Sequence, residues 1–210
     1  MDAGHERERR KAALGFRAHS GWAAMVAVGG SSAAPVVLAR RRVELVKREL
    51  TGSAQPYHAA VGMKLRDAEL FLERSAEAAN DLARVGLRDA LAELAARGSE
   101  AAGCAVLLAS GRPVADLEAT LASHAAIHTA EGEFFRNALR AAAESHGVPV
   151  TGIKERELFS QGASRLRIPE EELQRRAAEA GKTLGPPWRQ DEKFCYLAGW
   201  LVLAASNGDE

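Results

Sequence analysis

Residues 102–109 read AGCAVLLA, a run of strand length without one charged or polar-bonding side chain. A strand of that composition has no face suited to water, so it belongs in a parallel sheet covered by helices above and below. Glycines close on both sides, with Gly98 and Ser99 before it and a Ser110-Gly111-Arg112-Pro113 turn after it. The rest of the chain has to supply the neighbouring strands and the helices that cover them.

Upstream, residues 12–18 and 22–28 are two short runs of small and apolar residues around a Ser20-Gly21 break, which predicts a hairpin. A second turn over 29–35 (GGSSAAP) leads into residues 36–46 (VVLARRRVELV), where alternating charge predicts an edge strand or one wet face. Residues 47–57 form a polar connection. Residues 58–97, rich in Ala, Leu, Glu and Arg and free of proline, predict a helix broken near Gly86. Downstream, the pattern predicts a long helix over 114–145 and a short strand over 148–153. A loop through Gly162 follows, then a polar helix opened by Pro169 and ending at Ala180, a loop over 181–187 and a last helix over 191–205. No repeat is present in the sequence.

At 210 residues the chain suits one core, with residues 12–206 as a single domain and residues 1–11, a run of alternating charge, as a flexible charged tail. Lys plus Arg and Asp plus Glu both total 28, so no overall basic field draws nucleic acid and only a local patch remains open. The longest apolar run, 194–205, falls short of the roughly 20 residues a bilayer needs. The two cysteines, Cys104 and Cys195, lie in apolar segments without disulfide or zinc spacing and read as buried thiols. These features together predict a soluble, cytoplasmic protein without a membrane anchor.

Three strands joined by tight turns, followed by alternating helices and parallel strands, resemble the ribonuclease H-like superfamily. The opening residues 15–28 resemble the first hairpin of RuvC-type resolvases, with Gly21-Trp22 as the glycine-aromatic pair after the turn. Gly147-Val148-Pro149-Val150 is similar to that family's approach to its next strand, and the last helix, with Asp191 near its start, resembles the helix that carries a catalytic carboxylate. The resemblance implies an α/β fold: a ribonuclease H-like mixed five-stranded sheet flanked by helices. It also implies a carboxylate cluster holding two divalent cations that activate water against a phosphodiester. Arg17 stands where the first aspartate is expected, and Leu108-Ala109-Ser110 where a glutamate is expected. Asp191, with Glu192 beside it, is the one matching acid. A guanidinium at Arg17 pairing with Asp191 or Glu131 would give a salt-bridged, metal-free site; the alternative is an arginine on a solvated strand face.

One helix face carries His124, His128 and Glu131, within a stripe that also holds Leu117, Leu121, Phe135, Leu139 and Ala142. That set suits a metal or acid-base site, joined by His19 and His58, or a ligand site without metal, or hydrogen-bonded packing. Ala125 occupies the place where a zinc-peptidase pattern needs glutamate. His146, beside Gly147, suits a helix C-terminus. Glu133 and Arg136 read as an exposed ion pair, Arg40, Arg41 and Arg42 as a local basic patch for a phosphate backbone, and Tyr196 and Trp200 as marking a helix either deeply buried or half of a homo-oligomer interface. Neither a phosphate loop nor a nucleophile elbow is present in the sequence.

The leading expectation is a pseudoenzyme: a degenerate ribonuclease H-like binding or regulatory module for nucleic acid or a small ligand. Its pocket would be lined by Arg17, His19, His124, His128, Glu131 and Asp191. No cofactor is expected, a divalent metal at the histidine face being the alternative. The rival readings are a divergent metal-dependent hydrolase or nuclease using His124, His128 and Glu131, and a structural subunit of a homo-oligomer.

Overall fold

The structure, a computed structural model, describes residues 9–47, 49–112 and 116–208. The expected hairpin is β1 (Arg10–His19) and β2 (Trp22–Gly30), antiparallel with His19 opposite Trp22; its turn places Gly21 at φ +81°, where a side chain would be strained. β3 (Pro35–Glu44) continues the meander at the sheet edge. β4 (Ser99–Leu108) pairs parallel with β1, and β5 (Val150–Lys154) parallel with β4, giving the order β3-β2-β1-β4-β5. The sheet is therefore mixed and five-stranded, and the uncharged run of β4 lies between two parallel neighbours, as its composition requires.

The helices are α1 (Pro56–Ala60), α2 (Leu65–Ala96), α3 (Leu117–Leu121), α4 (His124–Ser145), α5 (Leu158–Leu166), α6 (Glu170–Glu179) and α7 (Gln190–Ser206), with a 3₁₀ turn at Glu155–Glu157 before α5. Successive β1 side chains alternate between two cores. Ala12, Leu14 and Phe16 meet α2 and α4 through Leu87, Phe135 and Leu139. Ala13, with Ala24, Val26 and Ala105, meets α7 through Leu197, Ala198 and Leu201. Gly15 lets α7 seat directly on the strand, because a Cβ there would lie 1.9 Å from the carbonyl oxygen of Cys195.

Several expectations are corrected. The sheet begins at Arg10, inside the range assigned to a tail; residues 1–8 of that range lie outside the described residues. The break expected near Gly86 falls instead between α1 and α2, and α2 runs through Gly86 unbroken. Glycine there serves packing, since a Cβ would stand 2.5 Å from Val43 Cγ1 on β3. The helix expected over 114–145 is two helices, because the Ser123 hydroxyl caps α4 by accepting the Ala126 N–H; residues 113–115 are not described. Residues expected as a loop through Gly162 form α5, held by burial of Leu158 and by Gly162 abutting Leu173 and Leu197.

The last helix is buried almost all round within its own chain. One side lies on the sheet and the other under α5 and α6, and Trp200, fully buried, donates its indole N–H to the Ser32 carbonyl at 2.8 Å. Of the two alternatives for the helix carrying Tyr196 and Trp200, burial within the chain is the one observed, with the two residues 2% and 0% exposed. The Glu133–Arg136 pair is also not exposed: Arg136 is 7% exposed, and Glu133 additionally accepts from Arg140 at 2.5 Å.

Candidate functional site

Polar side chains gather at the carboxyl ends of the parallel strands, where open α/β sheets place their ligands. Arg17 projects from β1 toward α7 and is 18% exposed. Its Nη1 donates to Asp191 Oδ1, while Nε and Nη2 donate to the two oxygens of Glu155 at 3.0 and 2.5 Å. His19, two positions along the same strand face, places Nε2 3.0 Å from Asp191 Oδ1. Burial works against the charge of Arg17, but the hydrogen bonds and fields of Glu155 and Asp191 more than offset it and hold the guanidinium above its ordinary pKa. The bidentate fork on Glu155 is the geometry guanidinium groups adopt with carboxylates. Phe194, one turn into α7, lies under the guanidinium, 5.2 Å from ring centroid to Cζ.

The divalent cations implied by the resemblance do not fit this arrangement. A permanently charged group lies among the carboxylates, and three of the four oxygens of Asp191 and Glu155 are already accepting its N–H groups.

The expected partner Glu131 is not part of this cluster. It sits on α4, across the sheet, 4% exposed, where Oε1 accepts the His58 backbone N–H at 3.0 Å and lies 3.2 Å from His58 Nδ1. The rings of His58, His124 and His128 meet edge-on, with centroids 4.4 to 5.6 Å apart. The neighbouring Tyr57 phenol is pushed up from its ordinary pKa, first by burial and then by the negative charge of Glu131. Tyr57 also lines an adjacent cleft of about 380 Å³ with Asn80, Thr120, Glu133 and Asn137. The single pocket expected from Arg17, His19, His124, His128, Glu131 and Asp191 is thus two clusters separated by the sheet. Arg17, His19 and Asp191 are together on the α7 side, and His124, His128 and Glu131 are together with His58 on the α2/α4 side. His146 caps α4, its Nε2 lying 3.3 Å from the Arg84 carbonyl.

The three consecutive arginines of β3 are spoken for within the chain. Arg40 donates to the carbonyls of Leu184, Gly185, Pro186 and Pro187, and Arg41 pairs with Glu93 on α2. Arg42 pairs with Glu44 at 2.6 Å while lying over the Trp22 ring at 4.0 Å. Trp22 in turn stacks on His19, with centroids 4.2 Å apart and planes 12° from parallel. A cleft of about 280 Å³ opens between Trp22, Arg40, Arg42, Pro187 and Glu192.

Glu155 and Trp22 are the residues that sequence reasoning missed as site components. Glu155 stands directly after β5, at the end of a parallel strand, and that position was the available signal. Trp22 comes from the strand beside the arginines, so no interleaving shows along the chain.

No protein-family model and no curated protein sequence matches the chain. Among solved structures it is similar to Thermus thermophilus RuvC in complex with a Holliday junction substrate, at 12% identity and a TM-score of 0.54, over 95% of this chain and 97% of that one. It is similar also to a second Thermus thermophilus RuvC structure, again at 12% identity and 0.54, over 94% and 96%. The chain therefore has a RuvC-like, ribonuclease H-like fold, spanning nearly its whole length. No helix among the described residues is long and apolar enough to cross a membrane.

Proposed function

With the RuvC-like fold as premise, we propose that this chain is a degenerate member of that architecture which binds nucleic acid without hydrolysing it. The observation that carries the reading is the Arg17 guanidinium held between Asp191 and Glu155. A two-metal phosphodiesterase needs free carboxylate oxygens at that place, and here a cation of the chain's own takes three of the four. Support for binding comes from the same face of the sheet. His19, Trp22 and Arg42 form a stack of imidazole, indole and guanidinium beside the cleft; with His19 and Arg42 over the two faces of the indole, an unpaired base would lie on an outer face of that stack, against the guanidinium or the imidazole. The nucleic acid carried by the Thermus thermophilus RuvC structure makes that the first ligand class to test.

The test is fluorescence anisotropy with labelled single-stranded, duplex and four-way-junction DNA in the presence of a chelator, alongside a cleavage assay with Mg²⁺ and Mn²⁺. Binding without metal, weakened by Trp22→Ala because the His19 and Arg42 planes lose the ring that holds them in a stack, with no cleavage, is the expected result. Metal-dependent cleavage abolished by Asp191→Asn would overturn the degenerate reading. Absence of binding to all three DNAs would overturn the nucleic-acid reading.

A further inference from the structure

We infer that His58, His124 and His128 form a three-imidazole centre for a single zinc-class transition-metal ion, on the side of the sheet away from Arg17. Each ring offers one nitrogen, and these nitrogens all lie within 4.8 Å of one another. A tetrahedral Zn²⁺ with bonds of about 2.0–2.1 Å needs its ligand nitrogens roughly 3.3 Å apart. The remaining closure is small, and the two rings that have to make it are exposed.

Four features favour a metal over simple packing of rings. His124 and His128 are four residues apart in the first two turns of α4, so they share a helix face, and His58 arrives from a different helix to complete a triangle. Neither His124 nor His128 takes a hydrogen bond among the described residues, which leaves their ring nitrogens available. His58 is oriented from behind: Nδ1 lies 3.2 Å from Glu131 Oε1, an acceptor, so the neutral ring that donates from Nδ1 has its lone pair on Nε2, away from the carboxylate. Glu131 is itself buried and fixed by the His58 backbone N–H, so the carboxylate, histidine and metal would follow in line. Glu131 is thus a positioning residue and not a ligand.

Imidazole nitrogens select borderline ions such as Zn²⁺ over Mg²⁺ or Ca²⁺, which prefer oxygen. Three protein ligands leave the fourth position to water or an exogenous group, the stoichiometry of an open site. The centre would also tie α1 to α4, and ion binding would raise the melting temperature of the whole chain.

The experiment is isothermal titration of Zn²⁺ into the tag-free full-length chain, previously stripped with chelator. Co²⁺ absorption would report coordination number, and thermal melts would be run with and without Zn²⁺. One ion per chain, submicromolar affinity, an intense four-coordinate Co²⁺ spectrum and a Zn²⁺-dependent rise in Tm are expected. His128→Ala, an exposed position, keeps the fold and lowers affinity at least about 100-fold, while Glu131→Gln lowers it about 10- to 100-fold, as loss of an orienting carboxylate does. His58→Ala separates a three-ligand centre from a chance histidine pair on one helix turn. If its Zn²⁺ affinity equals that of the unaltered chain, or if the unaltered chain binds more weakly than micromolar, the centre is overturned. Trp22→Ala leaves Zn²⁺ binding intact, so failure here and failure of the nucleic-acid reading are distinguishable.

Discussion

Arg17 and Asp191, 174 positions apart in sequence, are joined side chain to side chain where β1 ends and α7 begins. The contact joins the strand that starts the sheet to the helix that closes the chain. Glu155, following β5, completes it from a third element. The scaffold thus brings three chemistry-bearing positions to one place, and the residue types found there decide what that place can do.

Arg17→Leu leaves two neighbouring carboxylates without their cation. Because Arg17, Asp191 and Glu155 are 18%, 23% and 34% exposed, water screens part of the cost. A loss of about 1–2 kcal/mol in chemical denaturation is expected, below the value for fully buried pairs. Arg17→Asp gathers three acids instead and is expected to show a Mg²⁺- or Mn²⁺-dependent rise in Tm that the unaltered chain lacks. Equal Tm values with and without divalent ion in that variant would refute the picture of a scaffold still spaced for metal.

Gly15→Ala forces a Cβ into the Cys195 carbonyl oxygen of α7, a main-chain atom held inside a helix. The neighbour cannot rotate away, so the variant is expected to lose about 3 kcal/mol, the upper end of overpacking costs, measured by guanidinium melts. A near-neutral effect would mean that α7 does not seat on β1 as described.

Stability should fall on the acid side partly through Glu133. Burial raises its pKa, but hydrogen bonds from Arg140 and Arg136 prevail and hold the carboxyl below its ordinary value. A carboxyl lowered in the folded state contributes stability that is complete above the ordinary carboxylate range and is lost as pH falls through that range to the lowered value. Unfolding free energy followed from pH 7 downward should therefore drop less steeply for Glu133→Gln than for the unaltered chain. Parallel curves would show that the pair carries no linkage.

Both thiols should be silent in the folded protein. Burial pushes Cys104 up to about 12 and Cys195 well above its ordinary value, so neither presents a thiolate. An aromatic disulfide reagent is expected to titrate two thiols in denaturant and none on the same timescale without it. Rapid labelling of the native chain would contradict the buried placement.

Much of the fold was legible in the sequence because its signals are local. The uncharged run in β4, the Ser20-Gly21 turn and the charge alternation of β3 each follow from the faces those strands present. The errors share a physical origin in distant packing. Gly86 looks like a helix breaker until Val43 is seen pressed against it, and LFSQGASRL in α5 has weak intrinsic helix preference that burial of Leu158 overrides. At the site, Arg17 with Asp191 was legible through the resemblance and His124 with His128 through helical spacing. The mistake was to merge them. Residues of one strand alternate faces, and placing Arg17 toward α7 puts it opposite α4, a consequence that only the assembled layers make visible. The arginines of β3 likewise found partners as much as 147 positions away, which no local pattern reports.

The sheet that keeps the imidazole triangle apart from the guanidinium cluster acts as a partition in thermodynamic terms. Groups with no shared neighbours leave each other's equilibria nearly untouched, so combining a substitution on one side with a substitution on the other should give the arithmetic sum of their separate effects. One small chain would then offer two independent compartments, each open to redesign without retuning its counterpart.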